Sequence, residues 1–119
     1  MLEKENRLLS NYEFRKTHFK GQRIKAPFFY LYFLEQEGPT KVGIVVSTKF
    51  SKKAVVRNRV KRVFREIIRQ NFGKIKPGFW IVLHPSKTSL KISYEELNIE
   101  FNKILQKAPF LREPQSIRL

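Results

Sequence analysis

The sequence predicts an α+β fold, a two-layer α/β sandwich built in the order helix, strand, strand, helix, strand, helix. Three observations predict it. Runs of strand-forming residues at 27–34, 42–47 and 79–83 alternate with segments whose apolar residues recur every three to four positions. Hydrophobic residues make up 41% of the chain and 11 residues are Phe, too much apolar material for a disordered basic tail. The length, 119 residues, suits a single domain with one ordinary core. No internal repeat and no second domain is visible. The ordered core is expected over residues 8–107, followed by a loose tail at 108–119 that holds Pro109 and Pro114.

The first helix is expected at 11–19. Ser10 and Glu13 have the spacing of a capping box, Leu9 and Phe14 the spacing of a hydrophobic staple. Gly21 should stop the helix by taking a left-handed conformation. From Pro27 to Leu34 nearly every residue favours a strand, and Val42 to Ser47 forms a second such run after the break at Gly38-Pro39. Antiparallel pairing of these two neighbours is the simplest arrangement. Alternation puts Phe29, Leu31 and Phe33 on one face and Phe28, Tyr30 and Tyr32 on the other.

Residues 54–72 have helical spacing through Val56, Val60, Val63, Phe64, Ile67 and Ile68, with Gly73 as the stop. Phe79 to Leu83 reads as a short buried strand. Ser93 and Glu96 repeat the capping-box pattern ahead of Leu97, Phe101, Ile104 and Leu105, which predicts a last helix at 94–107.

Lys and Arg number 25 against 10 Asp and Glu, a net charge of +15, which points to a polyanionic partner. Zero cysteines remove disulfides, zinc ribbons and thiol nucleophiles, so the cytoplasm is the expected compartment. The N-terminal residues lack an apolar signal-peptide core, and the longest apolar run, Phe28 to Leu34, falls far short of the about 20 residues of a membrane span.

The charge is concentrated. Between Lys41 and Lys76 stand 12 basic residues and one acid, Glu66. On a helical wheel starting at Val56, the apolar residues of 54–72 fall within about 340° to 120°, while Asn58, Lys61, Arg62, Arg65 and Arg69 fall within about 140° to 240°. Arg57 and Arg59 lie at the margins, and Lys49, Lys52 and Lys53 add cations before the helix. Like charges at such spacings repel, so the strip is matched by phosphates, which guanidinium groups bind bidentately. Membrane binding is disfavoured because the apolar flank is needed for the core. Tyr30 and Tyr32, with Phe14 and Phe28, are candidates for stacking on unpaired bases, although Phe28 is the better candidate for burial.

The stretch Ala54-Val55-Val56-Arg57-Asn58-Arg59-Val60-Lys61-Arg62, followed by Arg65-Glu66, resembles the arginine-asparagine-arginine signature of the bacterial ribonuclease P protein subunit. Val42 to Ser47 with Lys49, Phe50, Lys52 and Lys53 leads into it as in that family, and the likeness extends from about Leu8 to Leu105. The resemblance implies that the signature helix joins two parallel strands by a left-handed crossover, against the usual rule. It implies two RNA partners, the catalytic RNA and precursor tRNA, with removal of the 5′ leader carried out by the RNA and its magnesium ions. No protein-held metal, catalytic side chain, membrane or obligate protein partner is implied. By position, Lys52, Lys53, Arg57, Asn58, Arg59, Lys61, Arg62, Arg65 and Arg69 would contact the catalytic RNA. Phe14, His18, Tyr30 and Tyr32 would line the leader cleft, His18 standing where relatives more often carry an aromatic side chain.

Two other classes compete. A self-contained nuclease would need a general acid and base from His18 and His84, the two histidines of the chain, and His84 reads instead as a satisfied or solvated side chain at a strand end beside Pro85. No thiol, paired-histidine spacing or glycine-rich phosphate loop is present. A generic basic RNA-binding or ribosomal-type structural protein would share the charge and fold, and would not distinguish leader-bearing tRNA from mature tRNA.

Overall fold

A computed structural model describes residues 2–108. Helix α1, Asn11–Lys20, begins with the expected reciprocal cap. Ser10 Oγ accepts from the Glu13 N–H, and the Glu13 carboxylate accepts from the N–H groups of Ser10 and Leu9. Leu8, not Leu9, is the apolar neighbour of Phe14, in a small cluster with Trp80 and Val82, and Leu9 is exposed. Gly21 ends α1 in an extended conformation, φ −84° and ψ 173°, instead of the left-handed one expected. Its lack of a side chain serves close approach: a Cβ there would lie 2.4 Å from the Thr17 carbonyl oxygen and 2.5 Å from that of Phe33.

Gly21 also lets the chain turn at once into β1, Gln22–Lys25, a strand whose polar residues gave no sign of it in the sequence. It is followed by β2 (Phe29–Glu35), β3 (Lys41–Ile44), α2 (Ala54–Asn71), β4 (Phe79–Pro85) and α3 (Tyr94–Lys107). The sheet order is β1-β2-β4-β3, so β2 and β3 are not partners as the simplest pairing supposed. β4 lies between them, antiparallel to β2 with Leu31 opposite Leu83, and parallel to β3 with Val42 opposite Ile81. The reason is burial. Phe79 to Leu83 are apolar on both faces and fully buried, which favours the centre of a sheet. The helix α2 connects the parallel neighbours β3 and β4, because a hairpin cannot.

The alternation in β2 is as expected. Phe29, Leu31 and Phe33 join Phe79, Ile81 and Leu83 in the main core, against Phe64, Ile67 and Ile68 of α2 and Phe101, Ile104 and Leu105 of α3. Phe28 packs half-buried against the same cluster. Tyr30, Tyr32, Trp80, Val82 and His84 lie on the other face, which α1 crosses. Phe14 rests on Gly43 so closely that a Cβ at 43 would lie 2.5 Å from its ring.

Helix α2 ends at Asn71 and passes into a 3₁₀ turn, Phe72–Lys74, so Gly73 does not terminate it. The buried Asn71 amide fixes this end by donating to the Ile67 carbonyl and to Asn98 Oδ1 of α3. In α3 only the serine half of the second capping box forms, Ser93 Oγ accepting from the Glu96 N–H. Within the expected tail, Pro109 and Pro114 lie outside the described residues.

The two glycines make opposite predictions. Gly21→Ala forces a methyl against two backbone oxygens and should lower unfolding free energy by about 1–3 kcal/mol. Gly73→Ala meets no atom within 4 Å and should change it by less than about 0.5 kcal/mol. Urea denaturation checks both.

Candidate nucleic-acid interface

The rotation of α2 is set by its apolar side. Val60, Phe64, Ile67 and Ile68 are buried, which leaves Asn58, Arg59, Arg62, Arg65 and Arg69 exposed and Lys61 half-buried. Among the described residues, the side chains of Lys52, Lys53, Arg59, Lys61, Arg62 and Arg65 have no hydrogen-bond or ion-pair partner. Two other members of the predicted strip are engaged. Arg57 Nη1 donates to the Ser51 carbonyl at 2.8 Å and so braces the loop before α2. Arg69 grips Glu66 with two hydrogen bonds, 3.1 Å from Nε and 2.5 Å from Nη2, and holds that carboxyl below the usual range.

The loop at 47–53 is shaped by its own side chains. Phe50 is buried as an anchor, Ser47 Oγ accepts from the Lys49 N–H, and Ser51 Oγ accepts from the Lys53 N–H. The first turn of α2 has no side-chain cap and no acid. Its N–H donors and the positive end of the helix dipole therefore add to the field of Lys52 and Lys53.

On the opposite face of the sheet, His18, Tyr30 and Tyr32 come together. His18 meets Tyr32 edge-on at 4.7 Å, and Tyr30 and Tyr32 are 6.1 Å apart. Phe14 is separate, one turn earlier over β3. His84, which the sequence did not single out for this cleft, sits at its centre. It stacks on Tyr30 at 4.8 Å with the rings 6° apart, and its Nε2 lies 2.7 Å from His18 Nε2. Arg23 approaches Tyr30 from β1 at 4.6 Å, so neighbouring strands flank that ring on both sides. A depression of about 460 Å³ opens beside these rings, lined by Tyr30, Lys49, Phe50, His84 and Lys87 among others. The alternation Trp80, Val82, His84 placed His84 on one face of its strand. Knowing that Tyr30 lies opposite required the strand order.

The histidine pair has a defined proton arrangement. His18 Nδ1 is 2.9 Å from the Phe14 carbonyl oxygen, which can only accept, so Nδ1 carries a hydrogen. In the neutral pair His84 Nε2–H then donates to His18 Nε2. Burial pushes the His84 imidazole down to about 4, and the neighbouring His18 and Arg23 add to the shift. Each Nε2 is occupied by the other ring, and His18 Nδ1 by the Phe14 carbonyl. Elsewhere, burial alone would raise the Glu13 carboxyl, but hydrogen bonds from Lys41 and from the Leu9 and Ser10 N–H groups outweigh it and hold Glu13 below its usual range.

Fold and charge together define a nucleic-acid-binding protein of the α+β class. The family model described as Ribonuclease P matches residues 2–109. The ribonuclease P protein component of Pseudanabaena sp. (strain PCC 6903) is 40% identical over 113 residues, covering 93% of this chain and 97% of the relative. The RNase P protein from Thermotoga maritima superposes with a TM-score of 0.77 at 30% identity, over 86% of this chain and 96% of that one. The Staphylococcus aureus RNase P protein shares the fold, with a TM-score of 0.78 at 24% identity over 91% and 99% of the two chains. The chain belongs to the ribonuclease P protein family. It is a component of a tRNA-processing ribonuclease, and its partner in that ribonucleoprotein is RNA. Among the described residues no helix is long and apolar enough to cross a membrane.

Because the His84 value in the folded chain lies below the ordinary 6.5, the unfolded chain takes up the proton first on acidification. Stability should therefore fall as the pH drops from about 6.5 toward 4. A lower urea midpoint at pH 5 than at pH 7 is expected, and His84→Phe, which keeps a ring on Tyr30 and takes no proton, should flatten the difference.

Proposed function

We propose that the exposed flank of α2, with Asn58, Arg59, Lys61, Arg62 and Arg65, binds the catalytic RNA of ribonuclease P in the cytoplasm, and that the cleft of His18, Tyr30, Tyr32 and His84 receives the single-stranded 5′ leader of precursor tRNA. The observation that carries this reading is continuity. Lys49 and Phe50 line the depression beside the cleft and belong to the loop that leads through Lys52 and Lys53 to the uncapped start of α2. One polyanion docked on the helix and a strand lying in the cleft would thus share a single cationic seam, with aromatic faces at one end and guanidinium groups at the other. Arg57 acts chiefly by shaping the loop, and Arg69 is shared with Glu66.

Hydrolysis belongs to the RNA in this reading. Among the described residues no three His, Cys, Asp or Glu side chains converge. In this reading the magnesium ions are held mainly by the RNA. The protein side chains bind and orient the two RNAs.

With catalytic RNA present, the protein should favour leader-bearing precursor over mature tRNA. Equal affinity for both would reduce it to a generic basic RNA-binding protein. Tyr32→Ala should lower that preference by about tenfold, within the roughly 1–3 kcal/mol of one stacked base, in a filter-binding comparison of the two tRNAs. If the α2 flank neutralises about five phosphates, log affinity for the catalytic RNA should fall with log salt at a slope of about −3.5 to −4.5. Replacing Arg62 and Arg65 by Ala should flatten that slope by about one to two units, and an unchanged slope would place the RNA face elsewhere.

A further inference from the structure

The inward side of α1 is accounted for by Phe14 on Gly43, the buried Thr17 and His18 in the cleft. Its outward side is unusual. Leu9, just before the helix, and Tyr12 and Phe19 within it are 57%, 64% and 84% exposed. At 100° per residue, Tyr12 and Phe19 lie about 20° apart on the wheel, nearly opposite Phe14 and Thr17, and about 10.5 Å apart along the axis. Arg15 and Lys16 flank the line between them, and Lys20 follows. Lys16 Nζ lies 5.8 Å from the Tyr12 ring centroid, so a cation and an aromatic face are already side by side. The one acid of α1, Glu13, is turned to the cap and to Lys41, 2.8 Å away, and does not neutralise this face.

We propose that the outward face of α1 is a second platform for single-stranded RNA, outside the cleft, on which bases stack against Tyr12 and Phe19 while Arg15, Lys16 and Lys20 meet the phosphates between them. Charge selects this occupant. A second copy of the chain would bring the same three cations against themselves across a two-fold axis, at a net charge of +15 per chain. An extended polyanion with exposed bases matches both the cations and the unpartnered rings. The platform is separate from the α2 flank and does not require that the cleft bind a leader.

The test uses the full chain and a fluorescein-labelled oligoadenylate at high salt, without catalytic RNA or tRNA, and is run in both the wild-type and the Tyr32→Ala background, so that binding on α1 is read apart from stacking in the cleft. Tyr12→Ala and Phe19→Ala should each weaken binding by about tenfold while leaving the salt slope unchanged, because no cation is removed. Phe19→Trp should keep the affinity, and its exposed indole should be quenched by the oligonucleotide. Wild-type affinity in both alanine variants would overturn the proposal. So would a wild-type dimer in sedimentation that Phe19→Ala dissociates without changing RNA affinity, since the face would then belong to a second copy. A loss of binding to anionic vesicles, with oligoadenylate binding intact, would assign the face to lipid and overturn it equally.

Discussion

Everything on the cationic side of the molecule depends on how α2 is seated. Phe64, Ile67 and Ile68 reach the layer of Phe29, Leu31 and Leu83, and removing such side chains from water is worth about 1.5–3 kcal/mol apiece. That contact allows the helix one rotation. The opposite flank then carries Arg59, Arg62 and Arg65 side by side, although each pair at helical spacing repels by a few tenths of a kcal/mol. Hydrophobic burial outweighs the repulsion several-fold, so the folded chain keeps a row of like charges that it does not neutralise itself.

Much of this was legible beforehand, for a physical reason. Helical periodicity over 54–72 records which residues are buried and which are not, and the same spacing sets both the core and the charged flank. Ser10 with Glu13 marked the start of α1, and the alternation in Phe29 to Phe33 separated the two faces of the sheet. Pairing was different. Two apolar runs separated by Gly38-Pro39 look like a hairpin, and nothing local says that β4, far along the chain, will take the place between them. The strand β1 escaped notice because edge position lets Gln22, Arg23 and Lys25 remain polar. Gly21 was recognised as a stop but for the wrong cause: the constraint is the carbonyl of Phe33, a contact formed across the sheet.

The cleft shows the same limit. Phe14 and His18 are one helical turn apart, yet they serve different neighbours, Gly43 in one case and the Tyr32–His84 group in the other. His84 read as a strand end because its partner is 66 positions away. Once paired, the two imidazoles tie α1 to β4 through a single hydrogen bond, so the helix that roofs the cleft is held to its floor. The loop at 47–53 is likewise organised from inside, by Phe50 beneath it and by two serine hydroxyls along it, so its lysines project from a fixed base.

The ends of the sheet carry a consequence for the free subunit. An unpaired strand margin is a template on which another chain can add, and this protein has two. Along β3 the bridge between Arg7 and Val42 occupies part of the margin with the chain's own leading residues. Among the described residues no strand pairs with the outer side of β1, which is four residues long and exposes Arg23 and Lys25. A second molecule approaching that margin meets repulsion before it can form a ladder.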